Sequence, residues 1–202
     1  LATKADSCGF RTDRRVEKIR RILIHRQPDL TVVLENIHDP HNVSAILRSA
    51  DAVGIMEVHL VYTTEEFPKL GRKSSASALK WVGRRKWRSV KECYANLRQE
   101  GFKIFASQLD ASSLSIFDLN MKNKVALIFG NEHRGVSEEA ATLADAQFKV
   151  PMYGMIESLN VSVACAVSLY EALRQRLGDG DYSKPKLGDA VLQTLVEEWT
   201  RK

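Results

Sequence analysis

Short apolar runs alternate with amphipathic helical stretches along most of the chain, and this alternation limits the possible folds more than any other feature. Residues 31–34 read as a buried strand, and Val43, Ile46, Leu47, Ala50 and Val53 follow at helical spacing until Gly54. A strand at residues 58–62 completes one βαβ unit. A helix near 91–100, a strand at 103–106, an apolar strand at 125–129, a helix starting at Ser137, a strand at 147–151 and a long helix over 161–177 continue the alternation. The pattern predicts an α/β fold with a mostly parallel sheet and helices on both faces, because each crossover must pass over a face before the next parallel strand begins.

Local signals bound the helices. Residues 12–27 carry Val16, Ile19 and Leu23 on one stripe, with Asp13 as the expected cap and Pro28 as the stop. Asn42 is the expected N-cap of the next helix and Asp189 that of a C-terminal helix whose Leu192, Leu195, Val196 and Trp199 need a partner surface. Residues 161–170 are apolar or small on almost every side, so that helix is deeply buried or packs against another subunit.

The chain has 202 residues, enough for a single core, and 44% hydrophobic with 27% charged residues excludes a disordered or collagen-like chain. No apolar run approaches the roughly 20 residues of a membrane span, and the first ten residues lack the apolar centre of a secretory signal. A cytoplasmic location and no membrane partner are expected. Cys8, Cys93 and Cys165 have neither zinc spacing nor disulfide pairing and are expected to be reduced thiols.

Charge is unevenly placed. Residues 1–91 hold 18 Lys/Arg against 10 Asp/Glu, whereas the remainder holds 12 against 15. Residues 11–26 carry seven basic and two acidic residues, and residues 69–91 carry nine basic and none acidic. Such a field suits a polyanion, although a solvated helix face explains the first segment about as well. In the second segment Trp81 and Trp87 lie among the cations, a mixture that also suits base stacking.

Three polar clusters follow expected strands, where open α/β sheets bind ligands: residues 38–42 leading to Arg48, residues 130–135, and residues 153–160. Phosphate-loop, dinucleotide, nucleophile-elbow and zinc-peptidase motifs are all missing, which removes support for those chemistries. His38 and His41 lack a third nearby His or Cys, so no metal is expected.

Asn42-Val43-Ser44-Ala45-Ile46-Leu47-Arg48, Phe129-Gly130-Asn131-Glu132, and Pro151-Met152 followed by Gly154-Met155-Ile156-Glu157-Ser158-Leu159-Asn160-Val161-Ser162 resemble the three motifs of SpoU-type RNA 2′-O-ribose methyltransferases of the SPOUT superfamily. They stand in the family order and span residues 30–177. Residues 26–32 and the His41-Asn42-Val43-Ser44 form are similar to the branch that methylates the ribose of guanosine 18 in the tRNA D-loop.

The resemblance implies S-adenosyl-L-methionine as methyl donor, a tRNA substrate, a homodimer and a deep trefoil knot in the C-terminal half. It implies catalytic roles for Arg48, Asn42, Glu132, Ser158 and Asn160, and cofactor contacts from Ser107, Gly130, Val150, Ile156 and Leu159. A guanidinium stays protonated, so Arg48 is read as binding the neighbouring phosphate and stabilising the developing alkoxide, with the other four polar residues positioning groups around it. RNA contacts are expected from Arg11, Arg15, Arg20, Arg21, Lys73, Arg84 and Arg85. The expected organisation is a basic helical extension over 1–29, the methyltransferase domain over 30–178 and a helical extension over 179–202. The alternatives are an rRNA methyltransferase of the same family and a catalytically silent RNA-binding factor.

Overall fold

The computed structural model describes residues 6–68 and 78–202, with side chains from Asp13 onward; Lys73 lies outside the described residues, as does the side chain of Arg11. The elements run α1 (Asp6–Ile24), β1 (Leu30–Glu35), α2 (Pro40–Ala52), β2 (Glu57–Val61), α3 (Ala78–Trp81), β3 (Gly83–Trp87), α4 (Val90–Gln99), β4 (Lys103–Ser107), β5 (Leu114–Ser115), a 3₁₀ turn (Ile116–Asp118), β6 (Val125–Phe129), α5 (Glu138–Leu143), β7 (Ala146–Lys149), α6 (Val161–Gly178) and α7 (Asp189–Arg201). The strands form one sheet in the order β3-β2-β1-β6-β4-β7-β5. Every pairing is parallel.

Both faces are covered, as the alternation requires. One core joins Val43, Ile46, Leu47 and Ala50 of α2 and Cys165, Leu169 and Ala172 of α6 to Val32, Leu34, Leu127 and Phe129. The other joins Val90, Cys93, Tyr94 and Leu97 of α4 and Ala140 and Ala141 of α5 to Val33, Ala126 and Ile128. Adjacent residues of β1 and β6 thus feed opposite cores, as the two-residue period of a strand dictates. Burial pushes the Cys93 thiol up to about 12 and raises that of Cys165, so both are inert thiols.

The terminal helices pair with each other. Ile19 and Leu23 of α1 pack on Val196 and Trp199 of α7, with Trp81 against Trp199 at 4.9 Å between ring centroids. The two extensions therefore share one small core, which supplies the partner that the α7 stripe needs.

Several local expectations change. Helix α1 begins at Asp6, so Asp13 lies inside it and caps nothing. It ends four residues before Pro28, where the chain turns Arg26 inward onto Asp51 at 2.5 Å and the Ile55 carbonyl at 2.9 Å. Asp39, not Asn42, caps α2: its carboxylate accepts the His41 N–H at 2.8 Å, and Pro40 occupies the first turn, where its missing N–H costs nothing. Gly188 holds the cap position of α7 without a side-chain bond, and Asp189 is the first helical residue.

Strand β3 escapes an apolar-alternation rule because its sequence, GRRKW, is polar; among the described strands it lies at the sheet edge, and its side chains are exposed or half-buried. The reading of Trp81 and Trp87 as base-stacking platforms is overturned. Trp81 belongs to the α1–α7 core, and Trp87 stacks on His59 and donates to its Nδ1 at 3.0 Å. Both rings are already used inside the fold.

Candidate active site

The register of β1 with β6 pairs Leu30 with Val125 and Leu34 with Phe129, so the two strands end level and their following turns lie side by side. The turn after β1 contains Asn36, the sole described non-glycine residue with positive φ, at 49°, a conformation that asparagine tolerates. The Asn36 Oδ1 accepts the N–H groups of Thr63, Thr64 and Glu65 at 2.9–3.3 Å, and its carbonyl accepts the Asn131 Nδ2 at 2.7 Å. One buried residue thereby ties the turns after β1, β2 and β6.

Glu132 closes the arrangement. Its carboxylate accepts the N–H of His38 at 2.8 Å, the N–H of Asp39 at 3.1 Å and the Asn42 Nδ2 at 2.8 Å. The Asn42 Oδ1 accepts from the Asn160 Nδ2 at 3.1 Å, and Asn160 caps α6 by accepting the Ser162 N–H at 2.9 Å. A relay Glu132–Asn42–Asn160 thus joins three segments, with Asn42 bonded to partners 90 and 118 residues away. Burial works against the Glu132 charge, but the bonds from Asn42, His38 and Asp39 outweigh it and hold the carboxyl below the ordinary glutamate value. Glu132 is a fixed anion with its donors in place, unsuited to collecting a proton near neutral pH.

Beside this relay lies a cavity of about 490 Å³, framed by the ends of β4, β6 and β7 and the start of α6. Ser107, Gly130, Val150 and Leu159 line it, together with Glu132, Ser158 and Asn160. Gly130 is obligatory: a Cβ there would lie 2.1 Å from the backbone carbon and oxygen of Gly135. Phe129, Gln108, Leu109 and Met152 also line the wall and were missed in the sequence. Gln108 and Leu109 follow Ser107 directly, and Phe129 and Met152 lie within the quoted motifs, so adjacency was the available signal.

Not every expected residue comes to the cavity. Ile156 is 61% exposed and outside the lining. Arg48 is exposed on α2, six residues beyond Asn42, which is about 9 Å along the helix and a third of a turn around it. It has no bonded partner among the described residues, and within one chain it does not line the cavity. The expected RNA contacts Arg15, Arg20 and Arg21 are exposed on α1, and Arg84 is exposed on β3. Arg85 points the other way and is engaged by Glu57 at 2.9 Å, Glu100 at 3.1 Å and Asn96 at 2.6 Å.

The lining combines apolar and polar groups. Apolar Val150, Leu159 and Phe129 offer a surface for a flat ring, strand-end backbone and Ser107 offer hydrogen bonds, and the volume falls in the usual range for small-molecule sites. A uncharged or cationic ligand needs no phosphate-cradling loop, and none is present. Among the described residues no three His, Cys, Asp or Glu side chains gather as a metal site, and no helix is long and apolar enough to cross a membrane.

Known proteins share this fold. The model of the SpoU rRNA Methylase family matches residues 29–170. The tRNA (guanosine(18)-2′-O)-methyltransferase of Thermus thermophilus is 45% identical over 192 residues, covering 95% of this chain and 98% of the relative. Among solved structures, the A. aeolicus TrmH/SpoU tRNA modifying enzyme superposes with a TM-score of 0.88 at 35% identity, covering 94% of this chain and 96% of that one. The SpoU methyltransferase AviRb of Streptomyces viridochromogenes, in complex with AdoMet, superposes with a TM-score of 0.67 at 27% identity over 77% of this chain and 64% of its own. With three motifs tied into one site and a family match spanning most of its length, the chain belongs to the SpoU RNA methylase family.

Proposed function

We propose that this protein transfers a methyl group from S-adenosyl-L-methionine to the 2′-hydroxyl of guanosine 18 in tRNA. The observation that carries the reading is the Glu132–Asn42–Asn160 relay, which ties all three motif segments beside one cavity. Names of close relatives supply the nucleotide and the substrate class.

When bound, the cofactor supplies an electrophilic methyl group on a sulfonium centre. Ser107, Gly130, Val150 and Leu159 would hold its nucleoside end, and Ser158, exposed at the cavity, would lie beside the reacting group. Asn42, Glu132 and Asn160 keep the loops in register so that the ribose oxygen meets the methyl group in line. Arg48 binds the phosphate next to the target ribose and stabilises charge developing on its 2′-oxygen. Neither Arg48 nor the fully hydrogen-bonded Glu132 takes the proton, which leaves to water.

The position of Arg48 is reconciled by a homodimer. Val163, Val167 and Tyr170 form an exposed stripe on α6, and Tyr153 and Met155 beside the cavity are almost wholly exposed. Helices α2 and α6 pack together in the layer over one sheet face, so pairing two copies through α6 brings the outer face of α2, with Arg48, to the seam. Each Arg48 then serves the cavity of the partner. The interposition of β6 between the earlier strands β1 and β4 supports a C-terminal knot. Exposed Arg15, Arg20 and Arg21 on α1 hold tRNA phosphates, and the enzyme acts in the cytoplasm.

The test is incubation with an unmodified tRNA transcript and methyl-labelled cofactor, followed by mapping of the labelled nucleotide. Label at guanosine 18 is expected; label confined to rRNA, or tRNA binding without turnover, overturns the reading. Arg48→Ala is expected to lower turnover by roughly 10²- to 10³-fold with cofactor affinity within about twofold of wild type. Sedimentation at micromolar concentration is expected to give a dimer.

A further inference from the structure

Strand β3 sorts its cations by face. Successive side chains of a strand point to opposite sides, and here Arg85 and Trp87 turn towards α4 while Arg84, Lys86 and the following Arg88 turn the other way. On the α4 side the charge is neutralised, because Arg85 meets Glu57 and Glu100. On the other side it is not. Arg84 and Lys86 line a cavity of about 310 Å³ with Lys80 and Lys202, and no acidic residue shares that lining. Among the described residues none of Lys80, Arg84 and Lys86 makes an ion pair, and residues 69–77, just before α3, contain no Asp or Glu.

The cluster is also held in place. Lys202 Nζ donates to the Lys80 carbonyl at 2.9 Å and lies over Trp199, while Lys86 and Arg88 rest against Phe67 at 4.8 and 4.3 Å from its centroid. Side chains two residues apart on a strand are about 6.6 Å apart, a repeat comparable to that between successive phosphates of a nucleotide chain. Among the described residues no strand pairs with the outer edge of β3, which leaves its backbone N–H groups there without a strand partner. Strand β3 ends level with the strand ends that frame the active site and lies three strands from β6, about 14 Å away.

We propose that Lys80, Arg84 and Lys86, backed by Arg88 and Lys202, form a phosphate rail along edge strand β3 that grips the ribose-phosphate backbone of the substrate RNA away from the reacting nucleotide. The rail rests on the reading of the chain as a tRNA methyltransferase. It adds a contact surface separate from α1 and from the active site. The competing explanation is that the cations only protect an open strand edge from pairing with another chain.

The full-length protein separates the two. Binding of an unmodified tRNA transcript is measured between 50 and 200 mM salt for wild type, for Lys80→Gln/Arg84→Gln/Lys86→Gln, and for Lys103→Gln, an exposed lysine on β4, four strands away from β3. The triple variant is expected to flatten the slope of log affinity against log salt by about 2 to 3, so that the wild-type advantage shrinks roughly 15- to 60-fold across that range. Lys103→Gln is expected to leave the slope unchanged, and cofactor affinity is expected to stay constant in all three. Should the triple variant fail to fold, Arg84→Glu, at an exposed position, replaces it with the same expected direction. An unaltered slope, with or without new self-association, overturns the rail. Methylation by wild type is scored in parallel: an altered slope without methyl transfer leaves the rail standing and removes the enzymatic reading, whereas transfer with an unaltered slope removes the rail alone.

Discussion

The two ends of the sheet are both laced by long-range hydrogen bonds, yet they are built for opposite purposes. At the N-terminal ends of β1 and β6, Arg176 is wholly buried and its guanidinium donates to the carbonyls of Met121 at 2.9 Å, Asn123 at 2.6 Å and Asp29 at 3.1 Å, to the Gln27 side chain at 3.1 Å and to the Asp29 carboxylate. Lys186 adds a second cation to Asp29 at 2.6 Å. That network is closed: its donors end on protein. At the C-terminal ends the Glu132–Asn42–Asn160 relay is only partly buried, stands beside a cavity, and leaves Ser158 and Arg48 without partners among the described residues. Saturated polar groups hold a fold together, whereas groups kept in place beside spare donors and acceptors have something left for a ligand.

Removing Arg176 is expected to break that contrast most severely. Arg176→Met leaves the Asp29 carboxylate with Lys186 alone and takes the shared donor from the carbonyls of Met121, Asn123 and Asp29, and a loss of about 3–5 kcal/mol in denaturant unfolding is expected. A loss near zero would mean that this end is not closed. Glu132→Gln tests the other end: one of three donors faces an amide N–H₂, so about 1–3 kcal/mol is expected in stability. Methyl transfer is expected to fall much further, roughly 10²-fold, because displaced loops misalign the reactants. Equal retention of activity would detach the relay from the site. The Glu132 tie is present above the ordinary glutamate pKa and weakens only as pH falls through its lower folded value.

The smallest effect concerns neither end. Burial, reinforced by Arg85, lowers the His59 pKa to about 4, so the folded protein keeps this ring neutral while the unfolded chain protonates it. The associated stability is complete above about pH 6.5 and is lost as pH falls towards 4. His59→Asn keeps an acceptor near Trp87 and is expected to flatten that part of the pH–stability curve, by at most about 1 kcal/mol at pH 6. A wild-type curve level from pH 7 to 5 would contradict it.

Much of this molecule is written locally. The five-residue run of β6 and the start of α6 at Val161 follow from apolar runs and capping residues, and both appear where the sequence puts them. Edge strand β3 does not, since a strand whose side chains are exposed or half-buried needs no apolar period. Asn42 shows the limit for the site. Its place at a helix start is legible, but whether its side chain caps that helix or joins Glu132 to Asn160 depends on residues far along the chain.

What the sequence determined by itself, then, is the order and type of the elements, the three motif segments and the surplus of basic residues, because each is set by periodicity, capping or residue chemistry over a few turns. Tertiary structure decided which side chains meet. Strand order set β6 beside β1 and so brought Glu132 to Asn42, and the pleat of β3 separated neutralised Arg85 from open Arg84 and Lys86. The physical reason is the same in each case: side-chain bonds and ion pairs act over a few ångströms, and sheet pairing and helix packing alone bring distant residues within that reach.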